Sequence, residues 1–171
     1  MRIYHLGHPG LVVLLVCVGC QFQASCGGKK LNMEKAKEFV ATALERDVGQ
    51  KPDSTTCPES VKIEKGAKFS CTAKFGAATA TVEMQQNDDE GNVTITSSTG
   101  ILVANKLEKL IAEGIGKQAN VHVDAACGDR VRPATPGSTF QCDVKDAKGV
   151  TAKVNVKVKD ASGSVDWELV K

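Results

Sequence analysis

Aromatic side chains are scarce in this chain. They make up 4% of its 171 residues, with a single Trp and a single Tyr, so any core it builds is aliphatic and rich in alanine. Histidine is scarcer still: His5 and His8 sit at the extreme N-terminus, and only His122 lies in the body of the chain. A metal centre or a nucleophilic triad needs more imidazole or free thiol than that. No Gly-rich phosphate loop occurs, and no Ser stands in a nucleophile-elbow setting. With no cluster of acid–base groups either, the sequence predicts a protein that is not an enzyme and that takes neither cofactor nor metal. Charge of one sign is also missing. The net charge of +2 excludes an acidic tail and gives no reason to expect a nucleic-acid partner. The longest apolar run, "LVVLLVCVG" at residues 11–19, falls short of the ~20 residues a membrane-crossing helix requires.

Cysteine, in contrast, is plentiful, with seven residues. Three of them, Cys17, Cys20 and Cys26, end a segment whose only formal charge in residues 1–25 is Arg2. A basic start, a short apolar run and small residues after it read as a secretory signal. A cysteine just past such a run resembles the lipobox of bacterial lipoproteins, in which the thiol is acylated. Cys26 follows "QAS" and Cys20 follows "CVG". Cleavage before Cys26 leaves no orphan thiol, whereas cleavage before Cys20 leaves Cys26 free in an oxidising compartment. Cys26 is therefore the preferred lipidation site and Cys20 the alternative, with secretion without lipid as the competing reading. Residues 1–25 are then signal, and 26–30, "CGGKK", are lipidated Cys and tether. Gly27 stands where lipoproteins retained in an inner membrane commonly carry Asp, which points to an outer membrane or cell surface.

The other four cysteines lie in a repeat. "CPESVKIEKGAKFSC", residues 57–71, is answered by "CGDRVRPATPGSTFQC", residues 127–142. Each copy has a Cys, a Val four residues on, a Gly, a Phe and a second Cys. An internal repeat of this kind governs the expected architecture. Before each lies a helical pattern. "NMEKAKEFVATALERDVG" offers Asn32 as N-cap, Gly49 as C-terminal cap and a stripe of Ala36, Phe39, Val40, Ala43, Leu44 and Val48. "ILVANKLEKLIAEGIG" offers Val103, Leu107, Leu110, Ile111 and Ile115, with Gly116 at its end. After each, alternating strands follow. Phe69, Cys71, Ala73 and Phe75 share one face, as do Phe140, Cys142 and Val144. Then come Ala78, Ala80, Val82 and Met84, answered by Val150, Ala152, Val154, Val156 and Val158. "NDDEGN" and "DASGS" read as hairpin turns, "VTI" and "VDWEL" as closing strands, and "VHVDAAC" as a further strand.

The expected fold class is α+β: two tandem copies, residues 31–98 and 99–171, each one helix on an antiparallel sheet of about four strands. At roughly seventy residues, such a unit is only marginally able to bury enough surface. One disulfide per copy, Cys57–Cys71 and Cys127–Cys142, is predicted to compensate, because closing a loop of about fifteen residues removes ~3 kcal/mol of denatured-state entropy.

The Cys-Pro, Val, Gly-x-x-Phe-x-Cys sequence and a hairpin closing on Trp resemble the bacterial domain-of-unknown-function family 4333. "CPESV…GAKFSC" fits that pattern. The second copy departs from it with Gly128 for Pro but keeps Trp167, and the first has Ile95 in the Trp position. The resemblance implies exported or lipid-anchored envelope proteins without known catalytic residues. In layout alone, the duplicated unit is also similar to the secreted β-lactamase inhibitory proteins. That implies an alternative: an inhibitor docking an enzyme through a concavity between the two sheets.

The face of each sheet opposite its helix is the candidate binding surface. The second copy presents Thr151, Lys153, Asn155, Lys157 and Lys159, and the first presents Thr79, Thr81, Glu83 and Gln85. On these strands alone the second face is basic and the first neutral to acidic. The expected partners are a membrane, through the lipid, and an unidentified protein or anionic envelope component, through Lys153, Asn155, Lys157 and Lys159. Edge lysines that discourage strand pairing would look the same. His122 is expected on the open face. "NDDE", residues 87–90, has oxygen density enough for calcium, but the second copy's "KDAS" lacks it, and a turn sequence explains it.

Overall fold

The computed structural model describes residues 28–170; Cys17, Cys20 and Cys26 lie outside them. The first unit opens with helix α1 (Met33–Val48). The Asn32 side chain accepts a hydrogen bond from the Lys35 amide at 3.0 Å, and Gly49 closes the helix in the left-handed region. Met33, Ala36, Val40, Leu44 and Val48 are buried, a single stripe with helical spacing. It covers one face of a sheet in the order β1-β2-β3-β4, formed by β1 (Ser54–Thr56), β2 (Lys68–Phe75), β3 (Ala78–Gln86) and β4 (Val93–Thr99). Alternation in β2 and β3 turns Phe69, Cys71, Ala73, Phe75, Ala78, Ala80, Val82 and Met84 inward.

The second unit repeats this. After β5 (Ile101–Val103) come α2 (Ala104–Ala119), β6 (Val123–Ala126), β7 (Val131–Pro133), β8 (Thr139–Asp146), β9 (Thr151–Val158) and β10 (Val165–Leu169). The sheet order β10-β9-β8-β6 matches the first, with every pair antiparallel. The chain is thus α+β with two tandem helix-on-sheet copies. Each holds one disulfide: Cys57–Cys71 with S–S 1.97 Å and Cys127–Cys142 with S–S 2.05 Å. All four cysteines are buried, so each bridge ties the chain entering the central hairpin to the core face of the strand beneath the helix.

Several local expectations fail, for identifiable reasons. Residues 101–103 are not helical. Two β-branched residues flank Leu102, and the segment pairs with β7 as a two-stranded ribbon. The first unit holds the same feature as a single bridge, Lys30 to Lys62, with hydrogen bonds from Leu31 N–H to the Val61 carbonyl and from Ile63 N–H to the Lys29 carbonyl. Gly116 does not end α2. The helix runs on to Ala119 and stops at Asn120 in the left-handed region; a helical Gly costs only about 1 kcal/mol, which burial of Ile111 and Ile115 outweighs. Phe39 and Leu110, expected on the apolar stripes, are 44% and 47% exposed, because each helix meets its sheet along a line narrower than its apolar arc.

Val150 and Ala152 were expected inside, like Ala78 and Ala80. They are exposed, Val150 by 65%. The junction between the units explains the asymmetry. Val103 belongs to the first unit's core, and Ile101 and Val131 pack against it. The β5–β7 ribbon therefore covers the end of the first unit's β2–β3 hairpin, where Phe75, Ala78 and Ala80 are buried. Among the described residues no such ribbon covers the matching hairpin of the second unit. Asp146 stands there in place of Phe75, and its carboxylate accepts from the Lys148 and Val150 amides at 2.9 and 2.8 Å. Lys106 to Asp47 at 2.6 Å and Arg130 Nη1 to the Gly49 carbonyl at 2.9 Å add polar ties across the junction.

Among the described residues Gln86 is the one buried polar residue of the core. Its Oε1 accepts from the Glu64 amide at 3.0 Å and its Nε2 donates to the Lys62 carbonyl at 2.9 Å, so the loop between the cysteines is hung on β3. The counterpart in the second unit is Val158, also buried.

Candidate functional site

Period-two alternation in β9 places Lys153, Asn155 and Lys157 on the open face while Val154, Val156 and Val158 enter the core. Lys159 lies just past the strand end. The face is not simply basic, because the flanking strands bring carboxylates to it. Asp143 of β8 is in register with Lys153 and pairs with it at 2.8 Å. Asp166 of β10 is in register with Lys157 and pairs with Lys159 at 3.2 Å. Glu168 faces Asn155, and the Gln141 amide donates to Asn155 Oδ1 at 2.9 Å. Thr139, Asn155, Lys157, Asp166 and Glu168 line a shallow depression of 440 Å³. Three of the four expected residues thus share one surface, set among partners of opposite charge. Such a face presents alternating charges and hydrogen-bonding groups rather than a uniformly basic surface.

The first unit's open face differs. Thr79, Thr81, Glu83 and Gln85 of β3 are joined by Lys68 and Lys74 of β2, in register with Gln85 and Thr79. One row runs across all four strands as Thr56, Thr72, Thr81 and Thr99. Cross-strand Thr pairs of this kind contribute roughly 0.2–1 kcal/mol each. Reading charge from β3 and β9 alone misjudges both faces, because neighbouring strands contribute half of what each face shows.

His122 is not on a strand. It precedes β6, is 83% exposed, and its Nε2 lies 3.7 Å from Asp124 Oδ1. Among the described residues no group of His, Cys, Asp or Glu is placed to hold a metal ion, and no helix is long and apolar enough to cross a membrane.

The chain matches a family described as "Domain of unknown function (DUF4333)" over two tandem segments, residues 15–91 and 93–163. It belongs to the DUF4333 family. No curated protein and no solved structure matches it. Each DUF4333 copy ends in the same hairpin device. Asp88 accepts from the amides of Glu90, Gly91 and Asn92 and from the Asn92 side chain. Asp160 accepts from the amides of Ser162 and Ser164 and from the Ser162 hydroxyl. The oxygens of "NDDE" that suggested calcium are thus occupied, at Asp88, by donors of its own turn.

These bonds favour the ionised carboxylates. The Asn92 side chain, then the turn amides, hold Asp88 below its ordinary value. The Ser162 and Ser164 side chains lower Asp160 to about 2. A carboxyl with a lowered folded-state pKa contributes stability above its unfolded pKa and loses it as pH falls through the folded one. Thermal midpoints measured from pH 5 down to pH 2 are therefore expected to fall less steeply for Asp160→Ala than for the parent chain. Asp160 is exposed, so the difference is small.

One DUF4333 feature escaped the sequence reading. Trp167 of β10 packs its ring on the backbone of α2 at Gly114, where a Cβ would come within 2.3 Å of Trp167 Cζ2. Arg132 is a second such feature: its guanidinium stacks 4.0 Å above the Phe140 ring and its Nη2 donates to the Cys127 carbonyl, clamping the second disulfide loop.

Proposed function

We propose that this chain is an exported, lipid-anchored protein of the bacterial cell envelope, at an outer membrane or cell surface. In this reading it binds an extracytoplasmic partner through its open sheet faces and is not an enzyme. The observation that carries the reading is one buried disulfide in each unit, since such bridges form and persist in oxidising compartments. The short N-terminal apolar run and Cys26, with Cys20 as alternative, supply the anchor; two or more acyl chains hold a protein to a bilayer stably where one is marginal. The polar, exposed faces around Lys153, Asn155, Lys157 and Lys159 supply the docking surface. The partner is a protein or an anionic envelope component.

In a detergent phase partition of native membranes, the chain is expected in the detergent phase. Cys26→Ala should move it to water and Cys20→Ala should not. The intact mass should show two intramolecular disulfides and acylation at residue 26. A photo-crosslinking residue at position 155 should give an envelope adduct that one at Glu38, on the exposed side of α1, does not. A parent chain found wholly in the aqueous phase would overturn the anchor, and equal adducts at both positions would overturn the docking face.

A further inference from the structure

The ribbon before each helix faces something different in the two units. In the second unit, Ile101 and Val103 pack against the core of the unit before it. Helices α1 and α2 begin at Met33 and Ala104, so Lys30 and Asn32 hold the places of Ile101 and Val103. Both are exposed. Lys30 lies opposite Lys62, also exposed. The hydrogen bonds on either side, from Leu31 N–H to the Val61 carbonyl at 2.9 Å and from Ile63 N–H to the Lys29 carbonyl at 2.8 Å, make this a non-hydrogen-bonded pair. That is the arrangement that brings facing side chains closest, and like charges so placed are destabilising.

No carboxylate offsets the pair. Among the described residues Lys29, Lys30 and Lys62 form no ion pair. Residues 29–32 and 61–64 carry three lysines and one carboxylate, Glu64. The acidic turn around Asp88 lies on the other side of the ribbon. Its Gly91 packs against Leu31 and Ile63, which alternate with Lys30 and Lys62 and so point the opposite way.

The chain leading into this face is short. Only Gly27 and Gly28 separate Cys26 from Lys29, whose carbonyl is already held by Ile63. Three residue steps span at most about 11 Å. That is close to the screening length of about 10 Å at 0.1 M salt, so an acyl group at residue 26 keeps the ribbon within the field of the bilayer surface.

We propose that the ribbon face around Lys30 and Lys62 seats on anionic phospholipid headgroups of the membrane that holds the anchor. The inference rests on the reading of Cys26 as the acylated residue and adds the surface that meets the bilayer. Headgroup phosphates supply the negative charge the lysine pair lacks, and each lysine so placed strengthens the contact about fivefold.

The acylated chain from native membranes tests this on two kinds of vesicle, phosphatidylcholine alone and an equimolar mixture with phosphatidylglycerol. Amines are acetylated with an N-hydroxysuccinimide ester, and each lysine is read by peptide mass spectrometry. On the anionic vesicles, labelling of Lys30 and Lys62 should fall about fivefold or more relative to the neutral ones. Lys148, in the second unit's exposed hairpin, should label equally on both. Lys30→Glu/Lys62→Glu keeps a like-charged cross-strand pair and reverses its sign. In that variant the anionic vesicles should lose their protection of Lys29, while both vesicles retain the chain. A parent chain bound by neither vesicle would overturn the anchor and this proposal together. A chain held by both, with equal labelling of Lys30 and Lys62 on the two, or with Lys148 protected as strongly, would overturn this proposal and leave the anchor standing. Unchanged protection of Lys29 in the folded variant would also overturn it; if the variant does not fold, the parent comparison decides alone.

Discussion

Replacing both cysteines of either bridge by Ala is expected to cost the unit that carries it about 3 kcal/mol, within a range of roughly 2–5. The first bridge closes a separation of 14 residues and the second one of 15, so the two entropic terms are nearly equal. Against a total stability of about 5–15 kcal/mol for an ordinary domain, this is a large fraction for units too small to be secure on burial alone. The thiols themselves sit in the core. Cys71 and Cys142 are 0% and 1% exposed, so Ala is the substitution that removes the bridge without burying a hydroxyl. Urea unfolding followed by circular dichroism checks it. Cys57→Ala/Cys71→Ala should lower the midpoint of a transition that includes the first unit, and Cys127→Ala/Cys142→Ala that of one including the second. The junction couples the two, because Val103 lies in the first unit's core. A double variant within about 1 kcal/mol of the parent would mean that burial alone holds the unit, contrary to the chain-entropy argument.

Gly100→Ala should be as damaging without touching a disulfide. Gly100 is the residue at which the chain leaves the first sheet for β5. Its φ is +90°, and a Cβ there would lie 2.3 Å from the Thr79 carbonyl oxygen, a backbone atom that cannot swing aside. Its N–H donates to the Ala161 carbonyl at 2.7 Å, and its own carbonyl accepts from Ala134 at 2.9 Å. The crossing thus ties β3 of the first unit to two loops of the second. A side chain at positive φ costs roughly 1–2 kcal/mol, and displacing the strand forfeits hydrogen bonds worth about 1 kcal/mol each. The expected loss is about 3 kcal/mol or more. Gly66 provides the control: its φ is +83°, but nothing lies within 4 Å of a Cβ built there, so Gly66→Ala should carry the backbone term alone. Hydrogen exchange at the residue-100, Ala134 and β3 amides should quicken in the Gly100 variant and not in the Gly66 variant. Equal losses from the two would remove the collision as an explanation.

The buried strand positions of the first unit were legible because β2 and β3 alternate strictly with one face buried, and period two allows only one register. The helix stripes were legible in the same way, but not their edges. Phe39 and Leu110 fit the periodicity and still face solvent, since periodicity says which side of a helix is apolar and not how wide the facing surface is. The candidate binding face was half legible. Lys153, Asn155 and Lys157 had to share a side of β9, but which lysine the carboxylates of Asp143 and Asp166 meet is decided by the register of the neighbouring strands β8 and β10. The Trp167–Gly114 contact needed both the repeat and the packing to be seen together.

By itself the sequence determined the duplication, the helix-then-sheet order within each copy, and the pairing of Cys57 with Cys71 and of Cys127 with Cys142, because each rests on spacing along the chain. Tertiary structure alone decided that residues 101–103 form a ribbon with β7, that this ribbon buries Phe75 and Ala78 while leaving Val150 in water, and what charge each open face carries. Those outcomes depend on which segments distant in sequence come to lie side by side, and no local period encodes that.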